Sequence, residues 1–223
     1  MGRTHPKVTR APPSVSPPPT VTLTSGIVCS SRERGPNIRE LGMTTLDQVD
    51  DAIDPLVRDV NESLEYLLRD ERTQFWRRAH VRAVFALLEG WLFNMRRLAL
   101  GRAEVGLVAF SSGDIALLNE NSFEVDKHGE LLVQPKFIPV EKMVKLVFRC
   151  LAHALNVRYK LDTSTDGWNA FKSALAIRNR ITHPRRAADL TISDEEMETI
   201  EAMMHWFRTV TLEPFHSEER AGA

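Results

Sequence analysis

The chain has 223 residues, 43% hydrophobic and 26% charged, which is enough length for one well-buried core or two small ones and excludes disulfide scaffolds, collagens and wholly disordered chains. Lys+Arg 29 against Asp+Glu 30 gives a net charge of -1, so affinity for nucleic acid has to come from a local cluster rather than from global basicity. A membrane span needs ~20 consecutive apolar residues, and the best run, Phe85 to Phe93, is interrupted by Glu89 and Gly90. The two cysteines, Cys29 and Cys150, are far apart and lack metal-ligand spacing. They read as free thiols of a cytoplasmic protein without a membrane partner.

Residues 1–42 hold Pro6, Pro12, Pro13, Pro17, Pro18, Pro19 and Pro36 among Ser, Thr and Arg, with no hydrophobic period. Such a stretch cannot bury enough apolar surface to offset its ordering entropy, and it is expected to be a disordered tail. Val21 to Val28 is too broken by Thr22, Thr24, Ser25 and Gly26 to be a secretory h-region, and the prolines oppose the amphipathic helix of a mitochondrial presequence. Met43 is an alternative start of the protein.

From Met43 the period becomes helical. Leu46, Val49, Ile53, Leu56, Val57, Val60, Leu64, Leu67 and Leu68 recur at three- and four-residue steps behind a Thr45/Gln48 capping box. A second helix is predicted from Thr73 to Leu100, with Trp76, Ala83, Val84, Leu87, Leu88, Trp91, Met95 and Leu98 on one face, Gly101 as its stop, and Arg77, Arg78, Arg82, Arg96 and Arg97 on the opposite face. Ser112 to Asn119 reads as a short helical turn. Ser122–Val125 and Glu130–Val133 flank Asp126-Lys127-His128-Gly129 as a hairpin. Pro139 opens a third long helix with Val140, Met143, Val144, Val147, Leu151 and Leu155 as its stripe. A fourth runs from Thr165 to Pro184, and a fifth follows Ser193 as N-cap with Glu196 three residues on. No internal repeat is evident. The expected architecture is an all-α, up-and-down helical bundle over 43–215 with a small β-hairpin inserted, and a frayed C-terminus over 216–223.

In the fourth helix, Arg178 falls inside the apolar face, between Phe171 and Ala174 at 100° per residue. A guanidinium placed there must find an anion or an aqueous cleft. Asn179 and His183 are four apart and so neighbours, and Pro184 puts His183 at the helix end. Arg180, Arg185 and Arg186 add positive charge that would draw a polyanion such as RNA. His80, His128, His153, His205 and His216 share no ligand spacing, so no metal site is expected.

Arg178-Asn179-Arg180-Ile181-Thr182-His183 resembles the signature of the HEPN superfamily, in which an Arg, a following polar residue and a His end a bundle helix. The order of helices over roughly Met43 to Phe215 is similar to that family as well. The resemblance implies a HEPN-like helical domain and metal-independent RNA cleavage without a cofactor, typically in a homodimer that brings two motif helices into one cleft. Its usual setting is stress or phage defence, as a toxin held by an antitoxin or defence partner protein. Cleavage through the 2′-hydroxyl of RNA needs a group that moves protons near neutral pH and a cation for the charge built on phosphorus. His183 suits the first task and Arg178 the second, with Asn179 orienting either. Glu89, the only acid between Glu71 and Glu104, is read in two ways: as the partner of Arg178 within the catalytic cleft, or as a surface pair with Arg82 or Arg96. A Tyr that some HEPN toxins carry two residues after the motif His is replaced by Arg185, which leaves regulation through that residue without its acceptor. The alternative to catalysis is a HEPN-like module that binds nucleotide, RNA or a protein partner. A third reading is a scaffold that docks another protein on the arginine face of the second helix.

Overall fold

The computed structural model describes residues 46–69 and 73–221. The tail, Cys29 and the predicted N-cap Thr45 lie outside them. The described chain folds as α1 (Leu46–Leu68), α2 (Gln74–Glu104), α3 (Ser112–Leu118), β1 (Asn121–Val125), β2 (Leu131–Pro135), α4 (Val140–Ala154), α5 (Asp166–Thr182), a 3₁₀ turn (Ala187–Leu190) and α6 (Asp194–Ala221). This is an all-α fold with one antiparallel hairpin, in which Phe123 faces Val133 and Val125 faces Leu131. Among the described residues no helix is long and apolar enough to cross a membrane.

The boundaries follow local chemistry. The Thr73, Ser111 and Thr165 hydroxyls each accept a hydrogen bond from the backbone N–H three residues on, which satisfies an otherwise orphaned donor. At α6 the exchange is reciprocal: the Glu196 N–H donates to Ser193 Oγ at 3.2 Å, and the Ser193 N–H donates to the Glu196 carboxylate at 3.1 Å. Two expected ends move. Gly101 lies buried inside α2, and the helix runs on to Glu104, stopping where Gly106 takes a positive φ of 76°. Removing a side chain weakens a helix without ending it, and the left-handed turn is what ends it. The backbone of α6 stays helical to Ala221, past residue 216 where fraying was expected. Once a helix exists, each added residue contributes one more backbone bond.

Helix α2 is the centre of the fold and packs against α1, α4, α5 and α6. Its buried residues include Val81, Phe85, Leu88, Leu92, Met95 and Ala99, which wrap further round the helix than the single stripe predicted, because partners stand on several sides of it. An aromatic cluster joins the helices: Trp91 packs on Phe148 of α4 and Phe207 of α6, and Trp168 and Phe171 of α5 pack on Trp206 of α6. Cys150 is a buried free thiol whose pKa burial pushes up.

Gly167 allows α5 to approach α6. A Cβ there would lie 2.3 Å from Trp206 Cδ1 and 2.6 Å from Trp206 Cβ, so helix backbone or a core indole would have to move. At Gly90 the obstacle is only the terminal methyl of Leu56, at 2.5 Å. Gly167→Ala is therefore expected to destabilise the protein by about 1–3 kcal/mol, overpacking exceeding the helix-propensity gain of about 1 kcal/mol. Gly90→Ala should cost clearly less. Paired thermal melts of the two variants check the order, and equal effects would contradict it.

His80 of α2 is buried against α1, 4% exposed. Ser63 Oγ donates to the Val60 carbonyl at 2.8 Å, so the 2.9 Å contact between Ser63 Oγ and His80 Nδ1 has the imidazole N–H as donor. Burial holds the His80 pKa down at about 4 against 6.5, so the unfolded chain binds this proton more readily than the folded one. The stabilisation is complete above pH 6.5 and is lost as pH falls toward 4. Asp114 and Asp189, whose pKa values their arginine neighbours and hydrogen bonds hold below 3.8, act only in more acid solution. Urea unfolding at pH 7 and pH 5 should differ by about 2 kcal/mol, and equal stabilities would mean that His80 is not desolvated.

Candidate functional site

The last turns of α5 carry the residues singled out by pattern. Ala174, Ile177 and Ile181 are buried while Arg178 sits at the edge of that face, and its guanidinium reaches across to α2. Arg178 Nη2 donates to Glu89 Oε1 at 2.6 Å, and Nη1 donates to the Asn179 side-chain oxygen at 3.2 Å. Of the two readings of Glu89, the structure therefore has the partner of Arg178. Arg96 instead pairs with Glu120, 2.7 Å away and just before β1. With side chains 26% and 41% exposed, the Arg178–Glu89 pair is partly wet, so its effect is more to orient the guanidinium than to stabilise the fold. The remaining guanidinium N–H groups are open to a further anion.

The pair borders a groove of about 530 Å³. Its apolar lining comes from Leu92, Met143 and Leu175, its rim from the half-exposed Phe93 and the 86% exposed Phe137, and its polar walls from Glu89, Arg178, Asn179, Arg96 and Glu120. Two arginines face two glutamates, so the groove is electrically balanced. Sequence reasoning missed Phe93, Phe137 and Glu120 as lining. Phe93 was hidden within an apolar run, and nothing local signals that the start of a hairpin folds back on Arg96.

His183 is the C-cap of α5, its backbone N–H bonded to the Asn179 carbonyl, and it is exposed. It does not line the groove. Helix α5 ends at Thr182, and His183 follows it with non-helical dihedrals, φ −124° and ψ 60°, whereas Arg178 turns to Glu89 and the groove.

The arginines expected to draw RNA are not equivalent. Arg180 donates to the Asp189 carbonyl at 2.9 Å, the Thr191 carbonyl at 2.7 Å and the Glu196 carboxylate at 2.6 Å. These three bonds tie its Nη1 and Nη2 to the loop before α6 and to Glu196. Arg186 is exposed and pairs with Asp189 at 3.0 Å, while Arg185 is exposed and uses its backbone N–H on the same carboxylate. That backbone bond first, and the Arg186 side chain second, hold the Asp189 carboxyl below its usual range. The arginine face of α2 is likewise mostly engaged: Arg77 bonds the Ile192 carbonyl and Asp194, and Arg78 bonds the Leu190 carbonyl. A free basic scaffold face on α2 is therefore not present at these positions.

Among the described residues there is no group of three His, Cys, Asp or Glu side chains placed to hold a metal ion. No family model, no curated protein and no solved structure matches this chain, so the likeness of its motif to the HEPN signature stands on the residues themselves.

Proposed function

We propose that the protein is a metal-independent endoribonuclease of the HEPN type, acting as a homodimer on RNA. The observation that carries the reading is the Glu89–Arg178–Asn179 cluster at an open groove, on a helix capped by an exposed imidazole. Glu89 holds the guanidinium in one orientation and offsets its charge, which keeps a ground-state phosphate from being gripped too tightly while N–H donors remain for the transition state. The 2′-hydroxyl oxygen attacks the neighbouring phosphorus and gives its proton to one imidazole. The P–O5′ bond breaks, and the leaving oxygen takes a proton from the second copy of the same imidazole. Because His183 lies outside the groove that Arg178 borders, the guanidinium of one chain and the imidazole of another are the pair that meet at one phosphate. Arg185 and Arg186 lie outside the groove and guide the strand, Arg186 exchanging Asp189 for phosphate.

A non-catalytic module binding nucleotide, RNA or a protein partner is the second reading. It is favoured by the absence of His183 from the groove lining.

A labelled structured RNA incubated with the purified protein and a chelator should be cut to products ending in a 2′,3′-cyclic phosphate, and DNA of the same sequence should survive. His183→Ala should slow cleavage by about 10²- to 10⁴-fold. Arg178→Lys should also be slow, because a point charge cannot replace the two-pronged guanidinium contact. RNA that is bound but left intact by the wild type, with the variants changing affinity alone, would replace the catalytic reading by the binding module.

A further inference from the structure

The hairpin presents a face that nothing among the described residues covers. Every residue of β2 is exposed. Side chains alternate along a strand, so the facing pairs Phe123–Val133 and Val125–Leu131 place four apolar side chains on one side, from 51% to 70% exposed. Phe137, two residues past β2 and 86% exposed, extends the strip. Taking a full large side chain as ~150–200 Å², these five residues show about 500 Å² of apolar surface, near the upper size of patches on monomeric proteins. That is roughly two thirds of the ~800 Å² that each partner contributes to a standard stable interface. A two-stranded hairpin is marginally stable alone in water and gains from a third layer.

We infer that this apolar hairpin face is a homodimer interface, and that its occupant is the same face of a second copy of the chain. Charge argues for a second copy. The four central side chains carry none, so two identical faces meet about a two-fold axis without like-charge contacts, and a net charge of -1 leaves little long-range repulsion between copies. A partner with a charged surface would have to desolvate its charges against Phe and Val. The charged and polar groups of the hairpin lie elsewhere: Gln134 bonds Glu124 on the opposite side, and the turn is closed by Asp126 accepting from the His128 and Glu130 N–H groups. The interface also borders the groove, since Glu120 and Phe137, side by side at the base of the hairpin, line it. The inference uses no step of RNA cleavage, so an inactive protein would pair in the same way.

Sedimentation equilibrium of the full chain from 1 to 200 µM, on the scale of dissociation constants that bury such areas, should show a reversible dimer. Val125→Lys with Val133→Lys should weaken it by at least about 100-fold. Glu124→Lys, on the opposite face, should leave it unchanged, and thermal melts report that each variant folds. In the wild type, hydrogen exchange of the 121–125 and 131–135 amides should slow as concentration rises through the dimerisation range, a readout that needs no substitution. A monomer at every concentration, a dimer indifferent to the double substitution, or hairpin amides indifferent to concentration would each overturn the inference.

Discussion

The short segment between α5 and α6 carries one 3₁₀ turn, Ala187–Leu190, and is otherwise gripped by side chains, on which the position of the motif depends. Gln74 of α2 bonds both the N–H and the carbonyl of Ile192, Arg77 and Arg78 reach the Ile192 and Leu190 carbonyls, and Arg180 takes the Asp189 and Thr191 carbonyls. Hydrogen bonds from charged donors are worth about 1.5–3 kcal/mol each when partly shielded. The set therefore offsets part of the ordering entropy of the segment, about 1–2 kcal/mol per residue. Ile192 is driven into the core beneath. With the segment anchored at its far end, α5 stops where it does and His183 is presented at a fixed corner.

This anchoring changes what the arginines mean. In a linear reading, Arg180, Arg185 and Arg186 are three positive charges beside a motif. In the fold, Arg180 is spent on the clamp and on Glu196, and Arg186 shares Asp189 with two backbone N–H groups. The groove beside Arg178 is balanced by Glu89 and Glu120. What the groove offers is therefore directed N–H donors rather than an excess of positive charge.

Helix starts and the hairpin turn were legible because their causes are local: Thr73, Thr165 and Ser193 before α2, α5 and α6, Pro139 before α4, and the Asp126–Gly129 turn between alternating strands; the ends of α2 and α6 were not. The course of buried residues around α2 was not, since periodicity reports how one face is buried and α2 has neighbours on several sides. Ion-pair partners were the least legible. The period of α5 placed Arg178 on the core side and thereby demanded an anion, but the choice among acids rests on which helices touch. Spacing alone suggested Glu89 with Arg82 or Arg96, seven residues away along one edge, whereas tertiary packing gave Arg178 to Glu89 and Glu120 to Arg96. Arg180 and Arg178 are two residues apart, and no local rule distinguishes the structural arginine from the one at the groove.

Arg178 and His183 part at the end of α5: the guanidinium turns to Glu89 and the groove, while His183 leaves the helix with φ −124° and ψ 60° and stands exposed outside the groove lining. The groove shares Phe137 and Glu120 with the base of the hairpin, the place where the fold leaves apolar surface uncovered. Phe137 and the Glu120–Arg96 pair therefore stand between the exposed hairpin face and the groove, while Glu89 and Arg178 meet on the groove's other side.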